Sequence, residues 1–116
     1  MTPPTDNTGT IDRLVDAYNA RDARAFADFF TPDAVHGNLN AADPLRGREA
    51  IYARYLDVFK TYPENHSDVV HRIAYGPFVI DHERVRRSKT AEPFDVVAIY
   101  TMKDGLVARI DFVRTA

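Results

Sequence analysis

The sequence predicts an α+β fold, with helices packed on one face of a mostly antiparallel sheet. Three observations carry this. Helical periodicity is confined to the first half of the chain, where apolar residues recur at i, i+3, i+4 and i+7. The second half alternates and is rich in β-branched and aromatic residues. Two turn signals, Gly76-Pro77 and Asp104-Gly105, join those alternating stretches as hairpins. Helices first and paired strands after them is the order expected of an α+β domain.

The elements follow in chain order. Residues 1–9 (MTPPTDNTG) are polar and without periodicity, and are expected to form a flexible tail before a single domain over 10–116. Thr10 is placed to cap a first helix with Asp12 in its first turn, and Ile11, Leu14, Val15 and Tyr18 form its buried stripe. Asp22 caps a shorter second helix with Phe26, Phe29 and Phe30 facing inward, stopped by Thr31-Pro32. Ala34 to Leu39 is a short strand. After Gly47 a third helix presents Ile51, Tyr52, Tyr55, Leu56 and Phe59, and ends before Pro63. Phe94 to Met102 and Leu106 to Val113 are the last two strands.

The hairpin from His66 to Arg87 is the most informative stretch. Pairing Tyr75 with Phe78 across the turn sets Ile73 opposite Ile80, His71 opposite His82 and Val69 opposite Arg84 on one face. The other face then carries Ala74/Val79, Arg72/Asp81 and Val70/Glu83. The first face is the more apolar near the turn and is read as a pocket wall.

Composition sets the bounds. At 116 residues the chain is one domain, with 45% hydrophobic and 28% charged residues, ordinary for a soluble globular protein. A net charge of −2 argues against a nucleic-acid partner. No apolar run reaches the roughly 18 residues of a membrane span, so no membrane partner is expected and a cytoplasmic address is the default. The absence of cysteine removes disulfides, thiolate nucleophiles and Cys-based metal sites.

The run YNARDARAFADFFTPDAVHG, then GREAIYARYLDVF, then KDGLVARIDF at the end of the chain, resembles the nuclear transport factor two-like superfamily. The chain is most similar to its branch of SnoaL-like polyketide cyclases, ketosteroid isomerases and limonene epoxide hydrolases. The resemblance covers Ile11 to Val113 and implies a cone, in which a curved sheet wraps three helices around a deep apolar pocket. It also implies pairing of two copies through the outer sheet face. Val97, Ile99 and Thr101 supply β-branched residues for such a surface.

The known catalytic sets of that branch are not matched. The general base of the ketosteroid isomerases falls at Asn38, their oxyanion Tyr at Leu14, and their oxyanion Asp at Ala98 or Ile99. Of the epoxide hydrolase set, Arg84 fits the Arg position, while Arg86 and Phe112 stand where carboxylates are needed.

His82 is therefore the leading catalytic candidate, as an acid or base near neutral pH, with Asn38 and Arg84 orienting a substrate or stabilising an enolate. The competing role for His82 is a hydrogen-bonded core histidine. His36, Tyr18, Tyr55, His71, Phe78, Ile80, Tyr100 and Phe112 are the expected ligand-lining residues. No spacing among the histidines favours zinc, and no cofactor is expected. Two functions follow. One is a cofactor-independent isomerase or cyclase moving a proton on a hydrophobic carbonyl compound. The other is a non-catalytic hydrophobic-ligand-binding or dimerisation module of the same fold.

Overall fold

The computed structural model describes residues 6–114. Three helices, α1 (Asn7–Asn19), α2 (Ala23–Ala27) and α3 (Arg48–Thr61), pack against a six-stranded sheet. Its strands are β1 (Phe30–Asn38), β2 (Leu45–Arg46), β3 (His66–Tyr75), β4 (Phe78–Arg86), β5 (Phe94–Lys103) and β6 (Leu106–Val113). Their order is β2-β1-β6-β5-β4-β3, antiparallel throughout except where β1 runs parallel to β6. The sheet is curved and unclosed. Register shifts in β3/β4, β5/β6 and β1/β6 bend it. Among the described residues no helix is long and apolar enough to cross a membrane.

The helix starts differ from expectation at one end. Asp6, not Thr10, caps α1, its carboxylate accepting from the Gly9 amide, and Thr10 is buried inside the helix. Of the tail expected over 1–9, residues 1–5 lie outside the described residues. Asp22 caps α2 by accepting from Ala25 N–H. That helix ends at Ala27, and Phe30, Thr31 and Pro32 open β1 instead of closing the helix. Edge-side Pro is compatible with a strand start, and the Phe30 carbonyl is held by Arg48 at 2.6 Å. On α3, Ile51, Tyr55 and Phe59 are buried, whereas Leu56 is exposed.

The hairpin turns behave as their residues require. Asp104 and Gly105 both have positive φ (53° and 80°), as a tight two-residue hairpin turn demands. Gly76 has φ 56°, and the Pro77 carbonyl beside it accepts from Met102 N–H at 2.7 Å, seating the β3–β4 turn against β5.

The expected β3/β4 register holds from Tyr75↔Phe78 to His71↔His82. A bulge at Val70 then replaces the Val70/Glu83 and Val69/Arg84 pairs by Val69/Glu83 and Asp68/Arg84. The face assignment is inverted. Val79, Asp81, Glu83 and Val85 point into the core, and His71, Ile73, Tyr75, Phe78, Ile80, His82 and Arg84 are turned outward.

Two buried carboxylates on the inner face are tolerable because each has partners from elsewhere in the fold. Asp81, 0% exposed, takes a bidentate pair from Arg72 at 2.6 and 2.9 Å, and Arg72 also reaches Asp12 on α1 at 2.6 Å. This clamp fastens the first helix to the hairpin. Arg72→Ala leaves Asp81 buried without its cation, and the expected cost is about 3–5 kcal/mol, read by urea unfolding. A loss of under about 1 kcal/mol would show that the pair does not carry the joint.

Candidate active site

Between the helices and the concave sheet face lies a cavity of about 290 Å³. Its apolar wall comes from Leu14 and Val15 of α1, Phe26 of α2, Val58 of α3, and Val85, Val96, Ile110 and Phe112 of the sheet. The aromatic corner is tightly built. Tyr55 stands 4.3 Å from Phe26 and 6.1 Å, edge-on, from Tyr18, ring centroid to ring centroid.

The central polar group is Glu83. It is 7% exposed and faces the cavity from the middle of β4. Tyr100, on β5, donates its hydroxyl to Glu83 Oε2 at 3.0 Å, and Ser67 Oγ stands 3.5 Å from Oε1. The β3 bulge puts Ser67 on the inner face, and Asn19 at the end of α1 fixes it there. The Asn19 amide donates to the Ser67 carbonyl at 2.9 Å and accepts from its N–H at 2.8 Å. Burial pushes the Glu83 carboxyl up to about 7, with the Tyr100 hydrogen bond opposing and the Asp81 carboxylate adding. Burial, and the Glu83 charge after it, hold the Tyr100 phenol well above its ordinary range, so it stays a donor.

A second pair faces the same space. His36 Nε2 and Tyr55 Oη are 2.6 Å apart. Burial lowers His36 to about 4 and raises the Tyr55 phenol, so a neutral imidazole meets a neutral phenol at neutral pH. Phe112 packs edge-on against the His36 ring at 5.1 Å, and Asn38, two residues further along β1, brings an amide to the cavity lining.

Of the residues expected at the site, Asn38, His36, Tyr18, Tyr55, Tyr100 and Phe112 line this cavity. His82, Arg84, His71, Phe78 and Ile80 do not, because they occupy the outer sheet face. There His82 and Arg84 share Asp95, at 2.8 and 2.9 Å, and lower its carboxyl to about 2, Arg84 contributing most. His36 thus lies on the opposite side of the sheet from His71 and His82. Among the described residues no three His, Asp or Glu side chains converge as a metal site.

Sequence reasoning missed Glu83, Ser67, Arg54, Arg87 and Arg114, all of which line the cavity. A signal for the first was present. The stripe Val79-Asp81-Glu83-Val85 has a period of two, and valines at both ends mark a buried strand face.

The model of the SnoaL-like domain family matches residues 11–110. Among solved structures, an uncharacterised cystatin-fold protein from Novosphingobium aromaticivorans is 30% identical with a TM-score of 0.86, covering 93% of this chain and 97% of its own. A proposed polyketide cyclase from Sinorhizobium meliloti is 21% identical with a TM-score of 0.78, covering 90% and 94%. A proposed ketosteroid isomerase from Kribbella flavida is 20% identical with a TM-score of 0.80, covering 97% and 80%. No functionally curated protein matches the chain in sequence. With helices wrapped by a curved sheet, a cavity between them and a family match over most of its length, the chain belongs to the SnoaL-like domain family of the nuclear transport factor two-like superfamily.

Proposed function

We propose that this protein is a cofactor-independent isomerase or cyclase that moves a proton on a hydrophobic carbonyl compound, with Glu83 as the acid and base. One observation carries the reading. A carboxyl group faces an apolar cavity, held in place by a phenol and without a cation bonded to it. Near neutral pH such a group exists in both protonation states, as proton shuttling requires.

The step balances without a co-reactant. Ionised Glu83 takes a proton from the carbon beside a carbonyl, and the C–H electron pair moves into the carbonyl to give an enolate. In an isomerisation of a β,γ-unsaturated ketone the enolate is a dienolate, and protonated Glu83 returns the proton to its γ carbon while the double bond moves into conjugation with the carbonyl. In a cyclisation the enolate carbon instead bonds to a second carbonyl carbon, whose oxygen takes the proton. Asn38 is the donor proposed for the carbonyl oxygen, and the walls formed by Tyr18, Tyr55 and Phe112 hold the substrate flat. Deuterium exchange at carbons beside the ketone of polycyclic substrates, compared in wild type and Glu83→Gln, tests this. Binding without exchange would instead favour the non-catalytic module.

The reading includes a homodimer. On the outer face Ile73 is 53%, Tyr75 79% and Phe78 40% exposed, and half-buried Ile80, Ile99 and Val97 continue the apolar band across β4 and β5. Contiguous exposed apolar side chains on a sheet face suit pairing with a second copy. Sedimentation is expected to give a dimer at micromolar concentration and a monomer for Ile99→Glu. A wild-type monomer would remove the proposal.

A further inference from the structure

The cavity lining holds three guanidinium groups, Arg54, Arg87 and Arg114, against a single carboxyl, Glu83, although the chain as a whole has a net charge of −2. They arrive from three separate elements: α3, the residue after β4 and the residue after β6. Three arginines elsewhere, Arg72, Arg84 and Arg109 on the sheet, are paired with carboxylates. Among the described residues no carboxylate pairs with any of the three at the cavity.

Two of them share an aromatic neighbour. The Arg87 and Arg114 guanidinium carbons stand 5.1 and 4.6 Å from the centroid of the same ring, Phe94. Arg87 is further fixed by the Tyr62 ring at 4.7 Å and by donating to Asn65 Oδ1 at 3.1 Å. Two like charges held on one ring in the cavity lining, with no carboxylate paired to either among the described residues, make a place where an anion is favoured.

We propose that the ligand is a hydrophobic keto acid, its carboxylate held by Arg87 and Arg114, with Arg54 contributing to the same field, and its ketone end turned toward Glu83. This deepens the reading above and rests on it for the ketone end; the carboxylate site stands on the arginines alone. Burial grades the cavity accordingly. Arg54 and Arg114 are exposed, Arg87 is half-buried, and Glu83, Tyr100 and Ser67 are buried. An amphiphilic acid laid along that gradient puts its charge at the mouth and its reactive carbon inside.

The test is calorimetric titration with naphthoylpropionate, its methyl ester and its primary amide, against wild type, Arg114→Gln and Arg87→Gln/Arg114→Gln. Arg114 is exposed and Arg87 half-buried, so a urea unfolding curve of the double variant accompanies the titration and the single Arg114→Gln variant reads the same preference at an exposed position. The acid is expected to bind at least about tenfold tighter than the ester and the amide, less so at high salt. The double variant is expected to erase most of that preference. Equal or tighter binding of the ester overturns the proposal, as does a preference that survives the double variant or no saturable binding of any of the three. Deuterium exchange at the carbon beside the ketone is read separately. An acid preference without Glu83-dependent exchange removes the proton-transfer reading and keeps the carboxylate site. Exchange without an acid preference does the reverse.

Discussion

Glu83→Gln is expected to lower the rate of carbon–deuterium exchange by about 100-fold or more, the usual range for removing a positioned general base. The substitution keeps the shape of the side chain and an oxygen able to accept from Tyr100, so cavity and fold are preserved while the proton-carrying function is lost. The wild-type rate should rise with pH through about 7, because only ionised Glu83 can take the proton. Tyr100→Phe separates position from charge. It removes a hydrogen bond that favours the ionised carboxylate, so the midpoint of the profile should move upward while exchange is reduced but retained. A Glu83→Gln protein that exchanges at the wild-type rate would exclude Glu83 from the chemistry.

Why the sequence led to His82 rather than Glu83 is a matter of long-range partners. The β3/β4 register near the turn was legible because Gly76-Pro77 fixes it locally. Which face of that ladder turns inward was not. The more apolar face, with Ile73, Tyr75, Phe78 and Ile80, is the outer one, and the inner face carries two carboxylates. Apolar alternation alone therefore gives the wrong sign. What reverses it is the Arg72 pair on Asp81 and the Tyr100 hydroxyl on Glu83. The Tyr100 contact comes from a strand whose alignment with β4 cannot be read from the hairpin. The helical half was more transparent. Tyr18 and Tyr55 fall on stripes of period 3.6 that fix their direction without reference to the sheet, and both reach the cavity. The start of β1 was hidden because Phe30-Thr31-Pro32 reads locally as a helix stop, while the parallel pairing with β6 that recruits it is distant in sequence.

Glu83 and His36, both buried, make opposite demands on stability, and their separation is the other large effect expected. Glu83 is raised from 4.5 to about 7, so between those values the unfolded chain is ionised while the folded one keeps its proton. Its contribution is complete below 4.5 and is lost as pH rises through 7. His36 is lowered from 6.5 to about 4, so in that window the unfolded chain binds a proton that the folded one refuses. Its contribution is complete above 6.5 and is lost as pH falls through 4. Each slope is about 1.4 kcal/mol per pH unit and each totals about 3 kcal/mol, with opposite sign. Between pH 4.5 and 6.5 they cancel in the wild type. The neighbours that set the shifts stay in place in either single variant: Asp81, Arg72, Tyr100 and Ser67 around Glu83, and Arg54 near His36. Relative to wild type, Glu83→Gln should therefore gain stability as pH rises across this window, and His36→Gln should lose it. The two variants should diverge by about 5 kcal/mol in pH dependence over two pH units, measured by urea unfolding at each pH. Parallel curves for both variants would mean that neither group titrates out of its ordinary range, and the case for Glu83 as the proposed acid and base would go with them.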